Sequence, residues 1–176
     1  MEGMYHTPVL VESVLRYLPT VPDGIYVDGT LGGGGHTERL LEYLSPRARV
    51  IGFDRDAEAI AFARARLAPF GERVHFVAEE AARLLPALRT LGIDRIDGFL
   101  LDLGVSSHQI DEESRGFSFQ GSGRIDMRMD RAQRLDGWTV VNRNTEERLS
   151  EIFWKYGEER ASRQIAKFLV QARAEH

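Results

Sequence analysis

Between residues 25 and 102, short apolar runs alternate with stretches whose apolar positions recur at helical spacing. The runs 25–29, Arg49–Phe53, Arg73–Val77 and Ile96–Asp102 read as strands. Between them, 37–44 carries Leu40, Leu41 and Leu44 on one face, Ala57–Leu67 is alanine-rich, and 80–91 is helical apart from Pro86, where a helix must begin, kink or restart. Upstream, Pro8–Leu18 places Val9, Val14, Leu15 and Leu18 roughly on one side, and Pro19 with Pro22-Asp23-Gly24 ends it. Strands alternating with helices predict an α/β fold with a parallel sheet and right-handed crossovers. The fourth run is nearly continuously apolar, as for a strand covered on both faces.

After Asp102 the pattern changes. Residues 103–144 read as loop, punctuated by Gly104, Gly116, Gly121, Gly123 and Gly137. Residues 145–156 and 158–174 then read as two helices joined at Gly157, the expected left-handed position, with Ile152, Phe153 and Trp154 expected in the core. No fifth, sixth or seventh strand follows, so the sheet reads as half built. The expected division is an α/β unit over 1–109 and a loop-rich, helical unit over 110–176.

The first strand closes on Asp28 and opens into Gly29-Thr-Leu-Gly-Gly-Gly-Gly-His36. Glycine lets a ligand approach the backbone and permits positive φ, at an entropic cost that a plain turn does not need four times in a row. Three acids, Asp28, Asp54 and Asp102, end three successive strands, whose carboxyl ends share one edge in a parallel sheet. Asp54 stands where an acid can meet a ribose diol. Carboxylates around a contiguous glycine run disfavour a pyrophosphate and favour a cation, so S-adenosylmethionine fits better than a nicotinamide dinucleotide. No Gly-Lys-Ser/Thr follows, which excludes a P-loop. His36 reads equally as a ligand contact or a helix cap. Asp102-Leu-Gly-Val-Ser-Ser107 reads as a strand end with a serine cap, and Arg115-Gly-Phe-Ser-Phe119 either as a base-stacking platform or as aromatics folded back on the core. Arg124–Asp130 reads most simply as a mixed-charge surface segment.

Bulk composition narrows the classes. The 176 residues contain no cysteine, which excludes disulfides and thiolate sites, and the five histidines form no i,i+4 pair, so no metal site is expected. No apolar run approaches a membrane span, and the N-terminus lacks a leader pattern; the expectation is a cytoplasmic protein with no membrane partner. Charge is uneven: residues 1–114 hold 11 Lys and Arg against 18 Asp and Glu, and residues 115–176 hold 12 against 9. That suits a cationic cofactor in the first part and an anionic partner in the second.

Longer strings carry a resemblance. His6-Thr-Pro-Val-Leu10, Asp23-Gly-Ile-Tyr-Val-Asp-Gly-Thr30, Gly34-Gly-His36, Asp54-Arg-Asp56, Asp97-Gly98, Leu101-Asp-Leu-Gly-Val-Ser-Ser107, Arg115-Gly-Phe-Ser-Phe119, Asp126-Met-Arg-Met-Asp130 and Tyr156-Gly-Glu-Glu-Arg160 occur in this order. In these the chain resembles the bacterial 16S rRNA cytosine-N4 methyltransferases of the MraW type. The resemblance implies a class I (Rossmann-like) S-adenosylmethionine-dependent methyltransferase sheet with a helical insertion. Residues 1–109 would then be the cofactor domain and 110–176 an RNA-recognition domain. It implies S-adenosylmethionine as cofactor and a decoding-centre cytosine of 16S rRNA, in the small ribosomal subunit, as acceptor. Position by position, it implies cofactor contacts at Gly34, Gly35, His36, Asp54, Ala81, Asp102 and Gln109. Asp102 is also the candidate catalytic acceptor for the cytosine amine. Arg124, Arg128, Arg131, Arg134 and Arg163 would meet phosphates.

Two departures stand out. Ala81 occupies a position where the family carries an aromatic ring, and the family's later strands and motifs have no counterpart before His176. The expectation is an open sheet edge that a second copy or a complementing C-terminal segment would cover. The rival readings are a non-catalytic cofactor- or RNA-binding fragment and a nicotinamide-dependent oxidoreductase.

Overall fold

The computed structural model describes residues 8–175; His6, Thr7 and His176 lie outside the described residues. The chain divides into two compact units, Met1–His108 and Gln109–His176.

In the first unit four parallel strands, β1 (Ile25–Asp28), β2 (Arg49–Phe53), β3 (Val74–Val77) and β4 (Gly98–Leu100), form one sheet in the order β3-β2-β1-β4. The helices are α1 (Val11–Tyr17), α2 (Gly35–Tyr43), α3 (Ala57–Leu67) and α4 (Leu84–Thr90). Alternate strand residues feed two cores, as the period of two requires. Tyr26, Val50 and Val74 pack with Leu40, Leu41 and Leu44 of the α2 region and Ala63 and Leu67 of α3. Val27, Ile51 and Phe53 face the other way, against Leu88 of α4 and partly buried Leu84 and Leu91. Two motif acids prove to be ties at the far edge: Asp97 accepts the Ile25 N–H at 2.8 Å, and Asp23 takes Ser45 and Arg47.

Several boundaries differ from the pattern. The first helix begins at Val11 rather than Pro8, because Leu10 adopts a left-handed conformation. Helix α2 begins at Gly35, two residues early, which puts His36 inside it. A 3-10 turn (Ala81–Arg83) precedes α4, so Pro86 falls in the first turn, where its missing N–H costs nothing. The fourth strand spans three residues, not seven, and is not covered on both faces: Phe99 and Leu101 are exposed, and β4 pairs only with β1 among the described residues.

The second unit is not all loop before residue 145. Helices α5 (Ser107–Asp111, across the division) and α6 (Gly137–Arg143) were hidden because they are short and lack apolar periodicity. Helices α7 (Glu146–Gly157) and α8 (Ser162–Glu175) pack together, with Leu149 and Ala166 buried. Asp136 and Thr145 cap α6 and α7 by accepting the N–H groups of Thr139 and Arg148. The left-handed residue after α7 is Glu158 (φ 51°), not Gly157, and the second helix accordingly starts later than expected. Trp154 is not core; it is exposed on α7.

Candidate cofactor site

The glycine loop runs from β1 into α2 and is held from within. Asp28, buried at the end of β1, accepts the Thr37 hydroxyl at 2.7 Å and the Thr30 N–H at 3.2 Å. Burial pushes its carboxyl above the ordinary value, and these bonds partly offset that. Of the three strand-end acids, Asp28 therefore serves the loop itself.

Outside the loop the clamps are packing contacts. Gly34 (φ 78°) abuts α3: a Cβ there would lie 3.0 Å from Leu67 and 3.3 Å from Ala63. The Gly33 carbonyl accepts from Arg66 at 3.1 Å. Gly32 (φ 51°) is different, since a Cβ there would meet nothing nearer than the Thr30 carbonyl at 3.9 Å. The loop is thus packed hard behind and open in front.

Around that opening stand Asp54, His36 and Asp102. Asp54 follows β2 and accepts the N–H groups of Gly32 and Asp56, each at 2.8 Å, one on each oxygen. Lone pairs remain on both oxygens for a pair of hydroxyls. Burial raises its carboxyl pKa, against the lowering effect of those two bonds. The Asp102 N–H donates to the Thr30 hydroxyl at 2.7 Å, so the loop after β4 is tied to the glycine loop. Its carboxylate Oδ2 lies 3.8 Å from His36 Nδ1. His36 caps no helix; its Nε2 lies 2.7 Å from the Val9 carbonyl oxygen. In the sequence Val9 shows only as a helix residue, and Thr30 only as part of a motif string. No spacing signal marks a backbone carbonyl as a partner.

Of the other site positions, Gly34 and Gly35 form the turn into α2, and Gly35 packs against Pro8. Ala81 is half-buried in the 3-10 turn after β3. Gln109 is buried in α5 and belongs to the second unit.

The chain matches the family model described as the MraW methylase family over residues 3–176. The chain belongs to the MraW methylase family. It is 51% identical to the ribosomal RNA small subunit methyltransferase H of Geotalea uraniireducens over 99% of its own length, and 49% identical to that of Geobacter sulfurreducens over 97%. It spans about half the length of these relatives, 56% and 55%. A solved rRNA methylase from Streptococcus thermophilus is 26% identical with a TM-score of 0.37, covering 45% of each chain, too distant to carry an argument. The first unit is the parallel α/β sheet expected of a class I methyltransferase of this family. No helix among the described residues is long and apolar enough to cross a membrane.

In the second unit, two of the arginines expected to meet phosphates are engaged internally. Arg128 grips Asp126 with two bonds of 2.7 Å, and Arg124 bonds Asp136 at 2.8 Å while lying over the Trp138 ring. Asp126 is held down at about 2, chiefly by the Arg128 hydrogen bond. Arg131, Arg134 and Arg163 are exposed. Arg115 is fully buried and donates to the carbonyls of Arg128 and Met129, whereas Phe119, four residues on, is 96% exposed. Arg124–Asp130 is therefore not simply surface but the tie that orders this segment.

Proposed function

We propose that this protein takes part in S-adenosylmethionine-dependent methylation of small-subunit rRNA, with the N4 amine of a decoding-centre cytosine in 16S rRNA as acceptor. One observation carries the cofactor: the open glycine loop is flanked by two carboxylates, Asp54 and Asp102, while the arginine that reaches the loop, Arg66, donates to the Gly33 carbonyl. Such an acidic mouth suits a cation with hydroxyls and opposes a pyrophosphate. That weighs against a nicotinamide dinucleotide.

The residues present fit the cofactor. Gly34, Gly35 and His36 would line its amino-acid end, Asp54 would accept its ribose hydroxyls, and Asp102 would complete the set. When bound, the cofactor supplies an electrophilic methyl on a sulfonium. The chain's own contribution is orientation and proton acceptance. The cytosine amine is a poor nucleophile, and Asp102 accepting its N–H would help it give up a proton as the N–C bond forms. Most of the rate would come from alignment. The acceptor base must leave its stack to be reached, and the second unit would supply the RNA contacts in the cytoplasm.

A second reading, cofactor or RNA binding without turnover, is favoured by Ala81, a position with no ring to pack on the adenine. Incubation with methyl-labelled cofactor and undermethylated small subunits separates the two. Label recovered as N4-methylcytidine supports the transferase; cofactor binding without label supports the binding reading.

A further inference from the structure

Pro8–Leu10 crosses the glycine loop from outside. Leu10 has φ 53°, in the left-handed region that a residue with a Cβ adopts only under strain. Its side chain is 75% exposed, so buried apolar surface does not offset that strain. What the turn achieves is local. The Leu10 carbonyl accepts the Val14 N–H at 2.9 Å, starting α1, and the Val9 carbonyl is delivered to His36 Nε2 at 2.7 Å. Strain concentrated where nothing packs points to position as its purpose.

A carbonyl oxygen only accepts, so Nε2 must carry the hydrogen, and in the neutral ring Nδ1 is then bare. Nδ1 is the atom that faces Asp102 Oδ2 at 3.8 Å. Two acceptors cannot bond each other, yet one donor nitrogen can reach both. Asp102 is fixed from behind by its own N–H on Thr30. The imidazole is 9% exposed and the Asp102 carboxylate 37%, so this pair of acceptors opens outward from a rigid base.

We propose that the Pro8–Leu10 strap is a positioning element that holds His36 as the Nε2–H tautomer, so that Nδ1 and the Asp102 carboxylate together receive one primary ammonium of the ligand. The tautomer stands on the geometry alone. The ammonium rests on the cofactor reading above, where it would be the amino group of the amino-acid end.

The test is nitrogen NMR of the imidazole rings in the ligand-free chain at a pH where they are neutral, with His36 assigned by its loss in His36→Gln. A protonated Nε2 and a bare Nδ1 are expected; the Nδ1–H tautomer, or an even mixture, overturns the strap's role. S-adenosylmethionine should then shift Nδ1 and leave Nε2 in place. Removing the cofactor's amino group should weaken wild-type binding about tenfold and Asp102→Asn binding much less. Calorimetric binding with Nδ1 unmoved overturns the ammonium site but not the cofactor; no binding at all overturns both. Leu10→Gly, which accepts positive φ freely, should keep the wild-type ring signature. Leu10→Pro, with φ fixed near −65°, should lose it at unchanged far-ultraviolet circular dichroism. Should Leu10→Pro fail to fold, the wild-type and Leu10→Gly spectra still decide.

Discussion

The Thr37 hydroxyl donates to the Asp28 carboxylate at 2.7 Å, joining the last residue of β1 to the first turn of α2 across the glycine loop. Both side chains are buried, so the bond has no water to replace it. Thr37→Val leaves a buried carboxylate oxygen short of a donor, and a loss of about 1–3 kcal/mol is expected. Urea denaturation measures it. A midpoint equal to wild type would remove Asp28 from its role as the loop's internal tie.

Gly34 combines a positive φ with contact against α3. Gly34→Ala should cost about 1–2 kcal/mol from backbone strain alone, with the 3.0 Å approach to Leu67 adding to it. Gly32→Ala bears the backbone term without the clash, so it should be the milder change in thermal unfolding. The reverse order would contradict a loop packed behind and open in front.

Asp126 titrates near 2 because Arg128 holds it, against an ordinary value of 3.8. A depressed folded value means that the pair stabilises the second unit fully above the ordinary carboxylate range, and that this stability is lost as pH falls through about 2. Carboxyl-carbon NMR should find Asp126 moving up toward 3.8 in Arg128→Met. An unmoved titration would show that Arg128 is not the cause.

The strand–helix alternation, the glycine loop and the strand-end positions of Asp54 and Asp102 were legible because each rests on a local pattern. What was not legible came from partners distant in sequence. Asp28 looks like Asp54 along the chain, yet Thr37 turns it inward. Arg128 looks like a surface cation until Asp126 takes it. The His36–Val9 bond joins a side chain to a backbone carbonyl 27 residues away, and backbone groups carry no sequence signal. Short β4 has the apolar run of a covered strand, but a run of apolar residues states a need for cover and not its presence.

Burial raises the Asp54 carboxyl, so it becomes neutral at a higher pH than an exposed aspartate does. If its ionised form accepts the ribose hydroxyls, S-adenosylmethionine affinity should fall on acidification with a midpoint above 3.8. A series of calorimetric titrations across that range measures it. Affinity constant down to the ordinary carboxylate range would separate Asp54 from the ligand.

The most direct test is calorimetric titration of S-adenosylmethionine into the chain beside Asp54→Ala, with NAD as the competing ligand. The account predicts saturable binding near the micromolar range, at least tenfold weaker in Asp54→Ala, and no heat with NAD. Equal binding by the variant, preference for NAD, or no S-adenosylmethionine binding by the folded chain would contradict it.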